Sequence, residues 1–428
     1  MPRIVIIGAG SGFGGELSKD ILAHSELQDS VIALCDLNES KVEAVAQYVR
    51  RIIDEYKLPA KVEHGTDRRK LLPEADFVIT SISVGGAAYA GFPANVEVNI
   101  PLKYGVSQSV ADTIGVGGVF RFLRTGLVQL EICQDMEELC PNALLMNYTN
   151  PMCMLTWLHS VGSSIRNVGL CHSVQGTAGE LARYLQIPVE EMRYLVAGIN
   201  HQAWFLELEH HGEDLYPRLY ELLHDPEIVN KDTVRFEMLK HFGYFVTEST
   251  IHCSEYHPYF RRTKELMNRF GLHDREVPDA PRRTREWLEH PESVELPKLT
   301  PSREYASGII RAVVTDTPFK FNGNVMNDGL IPNLAEGSCV ETPCLTDGTG
   351  VHPCHVGCLP PQLAWLNQSN IAVQEMAVRA VLDRDRDAAF HACAMDPLTR
   401  SICDLDQIRA MFEELWEAER PLLNYFYE

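Results

Sequence analysis

A chain of 428 residues with 45% hydrophobic and 23% charged residues has the length and composition to bury a large core in two joined globular domains. Its formal net charge of −21 argues against nucleic acid or an anionic membrane surface as the main partner. No run of about 18 apolar residues is present to span a membrane, and Met1-Pro2-Arg3 enters a strand without the layout of a signal peptide, so a cytoplasmic location is expected.

In chain order, residues 4–7 form a β-branched run without alternation, as a parallel strand buried on both faces requires. It leads into Gly8-Ala-Gly10-Ser11-Gly12-Phe13-Gly14-Gly15 and a helical pattern over 16–24. Counted from Gly8, the third glycine of a dinucleotide fingerprint falls on Phe13; counted from Gly10, the pattern Gly10, Gly12, Gly15 fits. Such glycines let backbone amides approach a pyrophosphate at a helix N-terminus. The second strand, 31–35, ends on Asp36, about twenty residues on, where a carboxylate accepts both ribose hydroxyls and favours NAD over NADP. The spacing predicts a helix over 41–56, a short strand near Val62, a helical turn over 68–72 and a buried strand over 75–80, with Ser83 in the turn after it. Strand and helix alternate, so residues 1–190 read as a Rossmann-type doubly wound sheet and 191–428 as a second, α+β domain.

The polar, glycine-rich stretch 108–118 precedes a helix over 119–130 and carries Asp112, either as a cap or as a carboxylate beside the cofactor. Three polar clusters then follow strand-like runs: Asn147-Tyr-Thr-Asn150-Pro151, Cys171-His172-Ser173 and Asn200-His201. Strand ends are where open α/β sheets collect ligands. Beyond them, 202–209 alternates as a half-exposed strand, 215–223 and 231–242 are helical, and 251–262 holds too many titratable groups for a core segment. Residues 274–301, with five prolines, read as a surface excursion, 319–333 as a binding loop rich in Asn and Gly, and 372–383 and 408–415 as helices. The 12 cysteines read as free thiols. Cys354, Cys358, His352 and His355 are packed too tightly for paired zinc knuckles.

Several motifs in register resemble family 4 glycoside hydrolases: the glycine turn, Ile100-Pro-Leu-Lys-Tyr-Gly105, Asn147-Tyr-Thr-Asn-Pro-Met152, Leu170-Cys-His-Ser-Val-Gln-Gly176, Gly198-Ile-Asn-His201, Asn327-Asp-Gly-Leu-Ile-Pro-Asn333 and Val356-Gly-Cys-Leu-Pro360. They span nearly the whole chain, and Cys171-His172-Ser173 looks like the α-galactosidase, α-glucosidase and α-uronidase branch rather than the 6-phospho-glycosidases. The resemblance implies a fold similar to lactate and malate dehydrogenases, NAD and a divalent metal such as Mn2+, and a small α-glycoside or α-uronide substrate. The chemistry it implies is oxidation at C3, deprotonation at C2, elimination of the aglycone, water addition and re-reduction, outside the usual two-carboxylate scheme. Residue by residue, it implies Cys171 and His201 as metal ligands, Asn150 on the sugar, Asn147 on cofactor or sugar, and Asn200 orienting His201 or the sugar. Gly8, Gly10, Ser11, Gly12, Phe13, Gly15, Asp36 and Ser83 would face the cofactor. His172 or Asp112 is the expected acid, and Tyr256 or Tyr259 the expected base. Arg261 and Arg262 would lower the phenol's pKa or bind a uronate carboxylate. A homodimer or homotetramer is expected. Two other classes share the cofactor domain: a lactate/malate-type 2-hydroxy-acid dehydrogenase, and a non-catalytic NAD-binding sensor.

Overall fold

The computed structural model describes residues 1–86, 91–275, 292 and 295–427. Six parallel strands form its first half: β1 (Arg3–Ile7), β2 (Val31–Cys35), β3 (Lys61–Gly65), β4 (Phe77–Thr80), β5 (Leu144–Asn147) and β6 (Asn167–Gly169). They lie in the order β3-β2-β1-β4-β5-β6, the doubly wound arrangement expected from the alternation. The lack of polar alternation in β1 and β2 has a direct cause, since both faces are covered. Ile4, Ile6, Ile32 and Leu34 pack with Leu17, Val42 and Val45 on one side. Val5, Ile7 and Ala33 pack with Ile132, Cys133 and Met136 on the other.

The same sheet continues into the second half. Strands β7 (Met192–Ile199), β8 (Gln202–His210), β9 (Glu213–Asp214), β10 (Phe319–Met326), β11 (Cys339–Asp347) and β12 (Gly350–Pro353) are antiparallel. The halves join through one residue pair, Asn324 of β10 with Gly169 of β6, and within the second half β11 meets β7 through Glu341 and Gly198. The Asn200-His201 cluster is the two-residue turn between β7 and β8, where Ile199 pairs with Gln202. His201 adopts a left-handed φ of 62°, a conformation that non-glycine residues take rarely and that collects at functional sites.

Two expectations are corrected. The predicted helix 119–130 extends over Gly115–Leu139. Its glycines belong to the first turn because a Cβ on Gly117 would lie 2.7 Å from Ala111 Cβ, and one on Gly118 2.8 Å from the Thr113 backbone. The glycine run therefore lets the loop carrying Asp112 lie against the helix. The expected binding loop 319–333 begins as strand β10. Asn327 then ties the rest to itself, donating to the carbonyls of Ile331, Leu334 and Ala335 and accepting from the Ile331 amide. The proline-rich excursion lies largely outside the described residues, at 276–291 and 293–294. No helix among the described residues is long and apolar enough to cross a membrane.

Candidate active site

A cavity of about 870 Å³ opens where the C-terminal ends of the parallel strands meet the β7–β8 turn. Phe13 and Ser81 come to it from the glycine-turn side, Asp112 and Asn150 from two loops, Cys171 and His172 from the end of β6, and His201, Glu248 and His252 from the second half.

On the cofactor side, Gly8 and Gly12 take φ values of 89° and 92°. A Cβ on Gly8 would sit 2.1 Å from the Ser81 carbonyl, and one on Gly10 2.8 Å from the Asp36 carboxylate. The turn is thus a bare-backbone cradle at the N-terminus of the helix Phe13–Leu22, and it fits a pyrophosphate. Asp36 at the end of β2 accepts from the amides of Gly10 and Asn38, both at 2.9 Å. The spacing puts the third fingerprint glycine at Gly15, but the tight helix-to-turn contact falls on Gly14, whose Cβ would meet Ala9 at 2.7–2.9 Å. Ser11 is exposed at the turn, and Phe13 packs edge-on against Tyr148 at 5.0 Å. Ser83 turns away to the Gly86 carbonyl, and Ser81 takes its place in the wall. Asn147 is fully buried and spent on local structure, bonding Thr80 and both backbone groups of Thr149.

The opposite side is compact. The Cys171 thiol lies 3.4 Å from His201 Nε2, and the other ring nitrogen of His201 is 3.4 Å from Thr113 Oγ1. Such an outer contact orients a ligating imidazole. His201, Glu248 and His252 offer ligand atoms within 4.8 Å of one another. Burial pushes the Cys171 thiol above its ordinary value, and the Glu248 charge adds to this. Burial works against the charge on Glu248, yet the His252 hydrogen bond and the two imidazoles hold the carboxyl well below its usual range. For His252 burial lowers the value, but Glu248 at 3.1 Å outweighs it and the imidazole ends up raised. The Asn200 carboxamide is buried with Nδ2 and Oδ1 unpartnered among the described residues. A thiol, an imidazole, a carboxylate and orphaned polar atoms beside them fit a divalent transition metal with sugar oxygens.

Asp112, 8% exposed, accepts from Asn150 Nδ2 at 3.1 Å, and its other oxygen faces His252 Nε2 at 3.9 Å. Burial alone raises its pKa, but Arg121, His252 and His201 bring the net value below the usual carboxylate range. His172 stands at the mouth, its side chain 68% exposed and 3.6 Å from Glu304.

The expected bases and arginines are placed differently. Tyr256 is buried behind His201, ring centroids 6.4 Å apart. Burial lifts its phenol well above the ordinary value, with Thr113 acting weakly the other way. Tyr259 does not reach the cavity; it stacks on Phe242 and His257. Arg261 is a buried strut, donating to Ser254 Oγ at 2.7 Å, Ser109 Oγ at 2.8 Å and the Ser107 carbonyl. Arg262 is exposed and does not line the cavity. Glu255 completes the anchoring: its carboxylate accepts the amides of Ser109, Val110 and Ala111 and the Gln108 carboxamide. Arg261 and Glu255 therefore hold the loop that presents Asp112.

Glu248 and His252 are the site residues that sequence reasoning missed; their i, i+4 spacing was the available signal. Glu341 was missed as well. It is fully buried, and burial, with the charges of Cys171 and Glu248, pushes it up to about 8 despite His201.

Comparison with known proteins bears on this arrangement. The description "Family 4 glycosyl hydrolase" matches residues 3–187, and "Family 4 glycosyl hydrolase C-terminal domain" matches residues 196–399. The chain is 38% identical to an α-galactosidase of Bacillus subtilis (strain 168), over 98% of each protein. It is 36% identical to an α-galactosidase of Rhizobium meliloti (strain 1021), over 99% of this chain and 89% of that protein. A 6-phospho-β-glucosidase from Thermotoga maritima, solved with manganese, NAD+ and glucose-6-phosphate, superposes with a TM-score of 0.82 at 24% identity, covering 98% of this chain and 99% of that one. At that identity the likeness shows a shared fold.

Proposed function

Because this chain belongs to glycosyl hydrolase family 4 and is a glycosidase, we propose that it cleaves neutral α-galactosides, using NAD and a divalent metal such as Mn2+. The observation that carries this is the convergence of Cys171, His201, Glu248, His252 and Asp112 on one cavity whose other wall includes Phe13, which follows the glycine turn, and Ser81, which packs against it. The α-galactosidase relatives support the sugar and anomer. The neutral sugar is favoured because the arginines suited to a uronate are engaged or remote: Arg261 is a strut, Arg262 is outside, and Arg275 donates to the Val110 carbonyl.

When bound, NAD takes up and returns the C3 hydride while the metal polarises the sugar oxygens. Cys171 and His201 would hold the metal, and Gly8, Gly10, Gly12 and Asp36 the dinucleotide. We assign the dinucleotide to residues 1–190, and the metal and substrate to residues 191–428 together with Asp112, Asn150, Cys171 and His172, which the first half contributes to the cavity. His252 is the base in this proposal: Glu248 holds Nδ1, so Nε2 points to the cavity for the C2 proton. Asp112, kept as a carboxylate, accepts sugar hydroxyls together with Asn150. His172, at the open mouth, donates a proton to the departing aglycone.

The test is p-nitrophenyl α-galactoside turnover. Hydrolysis is expected to require added NAD and Mn2+, to leave no net NADH, and to slow with deuterium at C2 or C3. Undiminished hydrolysis after removing both, or NADH accumulating with a 2-hydroxy acid, would sink the proposal. Faster cleavage of the galacturonide would replace the neutral sugar by a uronate.

The base assignment has its own check. His252→Ala is expected to lower kcat by about 10²–10⁴-fold, the usual weight of a positioned base, whereas Tyr256→Phe keeps most of it. The opposite order would move the base to Tyr256.

A further inference from the structure

We propose a second metal site, on the surface and remote from the catalytic cavity, formed by Glu191, His210 and His211 and suited to a borderline divalent ion such as Zn2+, Ni2+ or Cu2+. His210 ends β8, and His211 with Gly212 forms the two-residue turn to β9, both at positive φ as such a hairpin turn requires. His211 leaves β8 in the left-handed region, at φ 52°, which brings its ring beside that of His210 with centroids 4.1 Å apart. Both Nε2 atoms then face one oxygen, Glu191 Oε2, at 2.9 and 3.2 Å.

An ordinary surface ion pair needs one imidazole per carboxylate oxygen. A second one there sets two rings capable of positive charge side by side. A cation between three donors gives this arrangement a use. All three ligand atoms lie within 4.8 Å of one another. Metal–nitrogen and metal–oxygen bonds of about 2.0–2.1 Å in a tetrahedron place ligand atoms roughly 3.3 Å apart, so little movement is needed.

Two imidazoles and a carboxylate select borderline transition metals over Mg2+ or Ca2+, and over Mn2+ by the general affinity order. Exposed Glu213, which pairs with His210 in register, adds negative charge nearby. The location clips the open end of the β7–β8 hairpin, where Met192 faces His210. Eight residues of β7 separate this end from the His201 turn, roughly 25 Å at about 3.3 Å per residue.

The experiment compares zinc retained per chain by the intact protein and by His210→Ala/His211→Ala, after equilibration with micromolar Zn2+ and gel filtration. Both carry the Cys171 site, so zinc bound there cancels. The intact chain is expected to hold one equivalent more, with turnover of the α-galactoside the same in both when supplied with NAD and Mn2+. Should the double variant not fold, Glu191→Gln, which keeps both rings, takes its place in the comparison. Equal zinc in the intact chain and the variant overturns the site.

Discussion

Cys171→Ala is expected to lower turnover by about 10³-fold or more, the weight of several kcal/mol of Lewis-acid stabilisation, while leaving NAD affinity nearly unchanged. The thiol is the soft member of the donor set and sits 3.4 Å from His201 Nε2. Without it, His201 and Glu248 have no sulfur partner, and a methyl group faces the cavity. The dinucleotide cradle is built from different backbone, the β1 turn against Asp36 and Ser81, so it has no reason to respond. The fold should also persist, because a small buried group is replaced by a smaller apolar one. Manganese binding by electron paramagnetic resonance, NAD binding by fluorescence and kcat would be measured on the same preparation. Retained manganese affinity and turnover would take Cys171 out of the site.

Arg124→Ala is expected to destabilise the protein by about 3–5 kcal/mol, the usual result of stripping one partner from a buried ion pair. The Arg124 guanidinium forks onto Glu97, at 2.6 and 3.2 Å, with both side chains almost fully buried. It also donates to the Val84 carbonyl in the segment following β4. Glu419 lies fully buried beside them, and burial followed by the Glu97 charge pushes its pKa well above the ordinary value. Removing Arg124 strands a buried carboxylate at the junction of the helices Ala94–Lys103, Gly115–Leu139 and Leu405–Ala418. Thermal and urea unfolding would register the loss. Replacing Glu97 and Arg124 together by Gln and Met should recover much of it, since no unpaired charge then remains. A single-variant effect within about 0.5 kcal/mol, the range of an ordinary surface change, would mean that water reaches the pair.

The residues legible in the sequence were those whose role rests on near neighbours. The unbroken β-branched run of β1, the glycine turn, and Asp36 at the end of β2 follow from pattern over a few residues. Cys171 and His201 were legible because each sits in a short motif at a strand end. What escaped was a matter of which distant groups each side chain faces. Arg261 and Tyr259 lie in a stretch rich in polar and titratable groups, and the sequence offers no way to tell a strut from a substrate contact. Arg261 reaches Ser109 across 152 positions, and Glu255 captures the Ser109 amide across 146. Tyr256 carries the right functional group but is buried behind His201, while Glu248 and His252 from the same region face the cavity.

By itself the sequence determined the doubly wound half with its glycine turn and the family, because strand patterns, tight turns and short motifs are local properties. Only the tertiary structure decided which carboxylate and imidazole complete the cavity, that Arg261 and Glu255 hold the Asp112 loop, and that His210 and His211 converge. Those outcomes depend on packing between halves of the chain more than a hundred residues apart and on one left-handed backbone angle, and neither is written in residue type or spacing.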